Sequence, residues 1–373
     1  MASGSWSAGS DGSGTWSLNE TTGVLTISGS GWTTVSSSSG SYPWYSYKNS
    51  IKSVVFNSGI TAVGSYAFNN YTNLTSVSLP DTMVAIFDNA FAKTGITSIT
   101  IPKNVNTIKV SAFYNCTSLK EIVVASDNSY FSDDDGVLLN KDQTTLMRCP
   151  SGKTNTQYTM PDTVTTIGEQ AFYGCTKLTS VTISDGATSI GRQAFYNCTG
   201  LTSITIPDKV TTIYDNAFYN CTNLTSVTLS KSLTTMNYSV FYGCSSLSSI
   251  TIPASVTSIG SSAFLYCTGI TEIKFEGNSA PTLNSSSFQL GSSSTPVTAT
   301  VYTKGGWGSD DVFTSSVKGN YTTFIYEKLA GAVTHVNVSG TWKESTPYVN
   351  VNGTWKEVVG VYVNVNGTWK EAV

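Results

Sequence analysis

The segment AFYGCTKLTSVTI around Phe172 returns 23 residues later as AFYNCTGLTSITI at Phe195, and again as AFYNCTNLTSVTL at Phe218. Self-similarity at a fixed period in the twenties is the signature of a solenoid, in which each repeat forms one coil and stacked coils bury a continuous core. This feature predicts one long repeat body in the 373-residue chain, in place of two or three separate globular cores.

The repeat phenylalanine fixes the register of the coils. It occurs at Phe68, Phe91, Phe113, Phe172, Phe195, Phe218, Phe241, Phe264 and Phe288. Successive copies are 22 to 24 residues apart, except for the 59 residues between Phe113 and Phe172. That interval equals one repeat of 23 residues and one of 36, so a single long repeat near 119–154 carries an insertion.

Each unit contains one clear strand signal. Leu178, Val181 and Ile183 alternate or nearly alternate with polar residues, which predicts a short strand with one face in the core. Proline follows this strand in several repeats and ends it, because proline has no backbone N–H for the ladder. The return segment VTTIGEQAF is too short for a full helix, so we expect a turn, a 3₁₀ piece or one helical turn. The predicted class is an α/β solenoid that is predominantly β.

The units C-x-x-L-x-x-V/I-x-I/L-P-x-x-V-x-x-I-G-x-x-A-F resemble the BspA-like class of leucine-rich repeats over roughly 51–290. The resemblance implies a solenoid over 51–275, flanked by an N-terminal β cap over 1–50 and a C-terminal cap over 276–331. The inserted stretch NSYFSDDDGVLLNKDQTTLMRCPSGK resembles the long repeat of this class, which implies a small hairpin around its DG turn. Proteins of this class occur on bacterial and protist surfaces and in association with phages, so the resemblance implies adhesion.

The last segment, 332–373, changes character. VNVSGTWKES, VNVNGTWKEV and VNVNGTWKEA place Trp342, Trp355 and Trp369 at intervals of 13 and 14 residues. Alternating valines, a Ser-Gly or Asn-Gly turn and a following strand predict a string of small hairpins. These modules resemble short C-terminal repeats of phage structural proteins, which implies a tail for assembly or attachment.

Composition narrows the partners. Charged residues make up 12% of the chain and the net charge is -3, which disfavours nucleic acid and anionic lipid as partners. No run is apolar enough to span a membrane, and the N-terminus lacks a secretory signal, so we expect a virion or extracellular location. Six cysteines share one repeat position without any paired short spacing, which predicts buried free thiols and no zinc site. We assign Cys149, which lies off this position, no role.

Two stripes are candidate binding surfaces. The outward strand positions form a polar platform for a glycan or a protein, or simply a solvated sheet face of high β-propensity. Its candidate residues are Ser180, Thr182, Ser203, Thr205, Thr228 and Thr251. The tyrosines that follow the repeat phenylalanine should form a second ladder with rings about 5 Å apart, either gripping sugars or partly buried between coils. These are Tyr114, Tyr173, Tyr196, Tyr219 and Tyr242.

We find no constellation for catalysis. The chain has one histidine, His335, far in sequence from any suggestive Ser or Cys. The run Asp133–Gly136 lacks the later glutamate of a calcium-binding EF-hand and reads as a turn. No nucleotide-binding or nucleophile-elbow motif is present, so we predict no cofactor, no metal and no enzymatic activity.

The function that we expect is non-enzymatic binding or adhesion, carried by a phage virion component such as a fibre, decoration or receptor-binding part. Its partners would be a host-surface glycan or protein, and an assembly partner on the tail; a homo-oligomer is compatible with the sequence. The alternatives are a secreted bacterial surface adhesin and a purely architectural subunit. A glycan hydrolase is the least favoured reading.

Overall fold

A computed structural model describes residues 1–33, 41–304 and 306–328, together with the backbone of six short strands between 335 and 371. The chain is a predominantly β solenoid with a period of about 23 residues, as the repeat predicts. Its one described α-helix is the single turn Ser315–Lys318, and Gly9–Asp11 and Tyr45–Tyr47 are 3₁₀ turns. None of the described helices is long and apolar enough to cross a membrane.

Each regular coil contributes two strands. One is a strand of three or four residues that places alternate side chains in the core. These strands, with two strands of seven residues at the C-terminal end, follow one another along what we call the front row. The front row comprises Ser53–Phe56, Ser76–Ser78, Ser98–Ile101, Glu121–Val124, Gln157–Thr159, Ser180–Thr182, Ser203–Thr205, Ser226–Thr228, Ser249–Ile252, Glu272–Phe275, Val297–Thr303 and Thr322–Lys328. Paired front strands are parallel and in register, so equivalent residues of successive coils lie opposite each other, as Thr205 and Thr228 do.

The second strand of the coil is mostly two residues long and belongs to what we call the short row. The short row comprises Ile60–Val63, Ala85–Ile86, Thr107–Ile108, Thr145–Arg148, Thr166–Ile167, Ser189–Ile190, Thr212–Ile213, Thr235–Met236, Ser258–Ile259 and Thr282–Leu283. Its pairing is also parallel, for example Ile190 with Ile213. Two rows of parallel ladders therefore hold the coils at the spacing of a β-sheet.

The return segment is a turn and not a helical piece in the regular coils. Two of its residues adopt left-handed backbone conformations, such as Gln193 at φ 55° and Asn197 at φ 56°. The turn aligns its backbone with the next coil, so Phe172 N donates to Ala194 O at 2.6 Å and Phe195 N to Ala217 O at 2.7 Å. These bonds form a third coil-to-coil row, which a continuous helix could not provide because its N–H groups bond within the helix.

Antiparallel structure covers the first coil. Ala2–Ser7 pairs with Gly12–Asn19, which pairs with Val24–Trp32. Val24–Trp32 then pairs in parallel with both strands of the first coil, Ser53–Phe56 and Ile60–Val63. At the other end, Val297–Thr303 and Thr322–Lys328 extend the front row in parallel.

The core consists of side-chain columns that run along the solenoid. The repeat phenylalanines from Phe172 to Phe288 are buried, and successive rings stack with centroids 4.8 to 5.4 Å apart. The seven cysteines are free and buried, as predicted for the repeated six. In five coils the thiol donates to the carbonyl of the phenylalanine one coil earlier, for example Cys221 Sγ to Phe195 O at 3.1 Å. Each column therefore joins neighbouring coils.

The long repeat interrupts these columns. Cys149 lies 36 residues after Phe113 and 23 before Phe172. Its N–H donates to Ala171 O at 2.6 Å, and repeat phenylalanines of the regular coils make the same bond to the next coil, as Phe172 N does to Ala194 O. Cys149 therefore occupies the phenylalanine position of this coil, and Arg148 takes the alanine position. The guanidinium of Arg148 is buried and donates to Phe113 O at 3.1 Å and to Gln170 O at 2.9 Å. It supplies the donor that a cysteine thiol supplies in the regular coils.

The insertion itself is a hairpin. Phe131–Asp134 pairs antiparallel with Val137–Asn140 around Asp135 and Gly136, which both have positive φ. Val137–Asn140 also pairs with Thr145–Arg148, the strand that returns the chain to the short row. The core divides here into two clusters, since Leu138 belongs to the first cluster and Leu139 to the second.

The described strands after residue 332 pair into three two-stranded antiparallel sheets. They are His335–Val338 with Thr341–Glu344, Tyr348–Val351 with Thr354–Glu357, and Tyr362–Val365 with Thr368–Glu371. The Ser-Gly and Asn-Gly dipeptides of the predicted turns, and the side chains of Trp342, Trp355 and Trp369, lie outside the described residues.

Candidate functional site

The outward side chains of four successive front strands, from Ser180–Thr182 to Ser249–Ile252, are all serine or threonine and form an uncharged surface, which we call the front surface. Its candidate residues Thr182, Ser203, Thr205, Thr228 and Thr251 are exposed and Ser180 is half-buried. Among the described residues, none of these hydroxyls takes part in a side-chain hydrogen bond within the chain. A shallow groove of about 300 Å³ runs between the coils of Ser180–Thr182 and Ser203–Thr205. The front surface thus offers unpaired donors and acceptors to a ligand.

The threonines one residue before the front strand serve a different purpose. Thr179 Oγ1 donates to Thr156 O at 3.0 Å, Thr202 Oγ1 to Thr179 O at 3.1 Å and Thr225 Oγ1 to Thr202 O at 2.9 Å. These hydroxyls join each coil to the coil before it. Sequence alone could not separate the threonines that hold the coils together from those that remain free, because both belong to the same T-S-V/I-T pattern.

The five tyrosines form the predicted ladder along the return side. Tyr173, Tyr196, Tyr219 and Tyr242 stack with successive ring centroids 5.0, 4.6 and 4.3 Å apart and interplanar angles of 1 to 5°. Tyr114 meets Tyr173 across the long repeat, with hydroxyls 2.6 Å apart, and the edge-on ring of Tyr266 ends the ladder beyond Tyr242. Tyr173 is buried and the other four are half-buried. Burial raises the pKa of Tyr173 and of Tyr196.

This packing limits what the ladder can bind. A sugar or a cation stacks on the face of an aromatic ring, but each inner ring of the ladder covers the faces of its neighbours. The ladder presents ring edges and hydroxyl groups instead. Of the two uses that the sequence left open, partial burial between coils is the one that the geometry favours.

The run of three aspartates in the hairpin is satisfied within the protein. Asp133 Oδ1 accepts from Val124 N at 2.7 Å, and Asp134 Oδ2 accepts from the Tyr158 hydroxyl at 3.0 Å. Asp135 pairs with Lys153, with Nζ and Oδ2 2.9 Å apart. Within the described part of the chain, no group of three or more His, Cys, Asp or Glu residues could hold a metal ion. The side chain of His335 lies outside the described residues.

Sequence reasoning missed one group of charged residues on the front side. Lys120 and Glu121 belong to the coil before the hairpin, and they border a recess that continues past Asp135 to Lys153 and Asn155. We call this recess the notch. The sequence does contain a signal for the notch: Glu121 lies at the outward strand position that serine occupies in most of the other repeats.

The repeat pattern and the coil geometry agree with a known family. A model of the BspA type leucine rich repeat region matches six copies, over residues 40–134, 151–271 and 188–300. The chain belongs to this family. No curated protein matches the sequence significantly. Membership is consistent with binding or adhesion, because such solenoids present extended surfaces made of equivalent positions.

Solved structures show the same architecture. A leucine-rich repeat protein from Eubacterium ventriosum is 29% identical, with a TM-score of 0.51 over 73% of this chain and 90% of that one. The pneumococcal vaccine antigen PcpA is 20% identical, with a TM-score of 0.62 over 86% of this chain and 98% of that one. These likenesses support the solenoid fold.

Proposed function

We propose that this chain is a non-enzymatic binding and adhesion protein, and that its front surface engages a glycan or a protein on a cell surface. The observation that carries the proposal is the repetition of free hydroxyls at Thr182, Thr205, Thr228 and Thr251, all exposed and none used within the described chain. The coils hold these groups in register, with Thr205 opposite Thr228.

A repetitive surface of this kind suits a repetitive or extended ligand. Neighbouring strands are about 4.8 Å apart, so each coil adds an equivalent set of hydroxyls at a constant spacing. Weak contacts at successive coils would act together once the first is made, as linked binding sites do. The near absence of charge on this surface favours a ligand that is recognised by hydrogen bonds.

The setting that we propose is a phage virion, with the hairpin segment that contains Trp342, Trp355 and Trp369 serving as an attachment tail. The support is the resemblance of its GTW modules to C-terminal repeats of phage structural proteins. A bacterial cell surface is the second candidate setting, and family membership supports it. Genomic neighbours separate the two: tail and baseplate genes favour the virion, whereas a sortase or secretion locus favours the cell surface.

The experiment compares two triple variants of the full chain for retention on bacterial cells and on a glycan array. The test variant places glutamates on the front surface, with Thr182→Glu, Thr205→Glu and Thr228→Glu. The control, Thr176→Glu, Asn223→Glu and Ser246→Glu, changes exposed residues outside the front row, in the coils of Thr182, Thr228 and Thr251. Both variants add the same charge, so they differ in position only.

We expect the front variant to lose at least tenfold in retention, because glutamate carboxylates would remove the donors and crowd the groove. The control variant should bind like the wild type. Equal retention of the two variants would contradict the use of the front surface. Absence of binding by the wild type to every cell and glycan would favour a purely architectural subunit.

A further inference from the structure

The notch breaks the regularity of the front row. The successive front strands Glu121–Val124 and Gln157–Thr159 do not pair with each other, and the hairpin bonds to the second of them through Asp134 Oδ2, which accepts from the Tyr158 hydroxyl. Gly136 O accepts a hydrogen bond from Ile122 N at 2.9 Å, so the turn itself pairs with the front strand. The resulting recess has a volume of about 530 Å³, which falls within the roughly 300–1,000 Å³ of small-molecule sites.

The wall formed by the hairpin is fixed. Asp135 accepts from Asn155 Nδ2 at 3.0 Å and pairs with the buried ammonium of Lys153 at 2.9 Å. Lys153 also donates to Asp135 O. Gly136 is required at the turn, because its φ is +73° and a Cβ there would lie 2.8 Å from Glu121 Cβ. The recess is therefore formed before any ligand arrives.

The opposite wall carries two charges without partners. Lys120 and Glu121 are exposed, and among the described residues neither side chain forms an ion pair or a hydrogen bond. Glu272 and Lys274 are the same residue types on the same row, and they pair with each other at 2.7 Å. Glu272 and Lys274 therefore neutralise each other, whereas Lys120 and Glu121 remain available to a ligand at the edge of the recess.

We propose that the notch binds one saccharide unit, and that this unit anchors the glycan on the front surface. An ammonium can only donate hydrogen bonds and a carboxylate can only accept them, whereas each sugar hydroxyl does both. A saccharide satisfies Lys120 and Glu121 together and keeps further hydroxyls for Asn155. The inference rests on the proposed function and names the ligand class and its anchoring point.

The test uses saturation-transfer NMR on the full chain with glucose, galactose, mannose, N-acetylglucosamine and N-acetylgalactosamine as probes. The notch variant is Lys120→Met with Glu121→Gln, which keeps side-chain size and removes both charges. The matched control is Lys274→Met with Glu272→Gln. Because Lys120 and Glu121 make no side-chain hydrogen bond, the notch variant should fold like the wild type, which circular dichroism checks.

We expect at least one of these sugars to bind the wild type, and its affinity to fall at least tenfold in the notch variant, because hydrogen bonds to charged groups are the strong ones. The control should keep wild-type affinity. Binding of none of the sugars, or equal loss in both variants, would overturn the inference. Two outcomes would overturn the anchoring role and leave the proposed function standing. In the first, the front variant loses retention on cells but the notch variant keeps it. In the second, the chain captures a protein ligand and the notch variant captures it equally well.

Discussion

The phenylalanine column should carry much of the cohesion between coils, and Phe218 is the position to test. Its ring is fully buried and stacks on Phe195 at 5.0 Å and on Phe241 at 5.2 Å. Replacing it with alanine leaves a cavity in a core that is tied on three sides by coil-to-coil hydrogen bonds. Because the surrounding coils cannot readily collapse into this cavity, the loss in free energy of unfolding should lie in the upper part of the range for such truncations.

The magnitude follows from two contributions. Truncation of a buried phenylalanine to alanine costs about 3–5 kcal/mol. Each aromatic pair contributes about 0.5–1.5 kcal/mol beyond its buried area, so loss of both pairs in Phe218→Leu should cost about 1–3 kcal/mol. Phe218→Ala should therefore lie near the upper end of its range, and Phe218→Leu between the wild type and Phe218→Ala.

Urea unfolding measures the total cost, and native-state hydrogen exchange locates it. In a solenoid each coil contacts its neighbours only, so we expect faster exchange in the coils of Phe195, Phe218 and Phe241 and unchanged exchange around Phe91. The matched control is Tyr214→Ala, which removes an exposed ring from the same coil and should change stability by less than about 0.5 kcal/mol. A Phe218→Ala cost as small as that of the control, or faster exchange along the entire chain, would refute the nearest-neighbour reasoning.

Three further predictions concern the hairpin, the thiols and the tyrosines. Gly136→Ala should lower the free energy of unfolding in urea more than Gly174→Ala. Both glycines have φ near +70°, but only at residue 136 would the added Cβ clash with Glu121. Equal losses would contradict the close approach of the Gly136 backbone to Glu121. All seven cysteines are buried, and burial raises the pKa of several of the thiols, so iodoacetamide should label none in the native protein and all in urea; rapid native labelling would contradict this. Burial and the neighbouring Tyr219 raise the pKa of Tyr242 from 10.0 to about 12, so its contribution to stability is complete below pH 10 and is lost as the pH rises through 12. Unfolding measured against pH should show this loss in the wild type and a smaller one in Tyr242→Phe, and equal curves would contradict it.

Periodicity made the regular coils predictable. The spacing of Phe195, Phe218 and their equivalents placed the rings in one column, and the same spacing placed the cysteines in another. The pattern could not fix the return segment, because a short segment with few apolar residues suits a turn as well as a helical turn. The return segment is a turn because residues such as Gln193 and Asn197 adopt left-handed backbone conformations, which let it form hydrogen bonds to the next coil.

The long repeat was the part that periodicity could not resolve. Arg148 and Cys149 replace the Ala-Phe pair of the other repeats, so the sequence pattern does not mark their positions and predicts no role for Cys149. The contact between the hydroxyls of Tyr114 and Tyr173, separated by 59 residues, requires knowledge of where the inserted hairpin goes. The notch depends on the same knowledge, because it combines Glu121 with residues that follow the hairpin.

Photo-crosslinking tests the use of the front surface most directly. A photoreactive phenylalanine analogue is placed at residue 205 of the full chain, or at residue 223 as the control, and each protein is irradiated on the cells that retain the wild type. We predict covalent capture of cell-surface material from position 205 and none from position 223. Capture from position 223 alone, or from neither position while the cells still retain the protein, would contradict the proposal that the row of free hydroxyls is the binding surface.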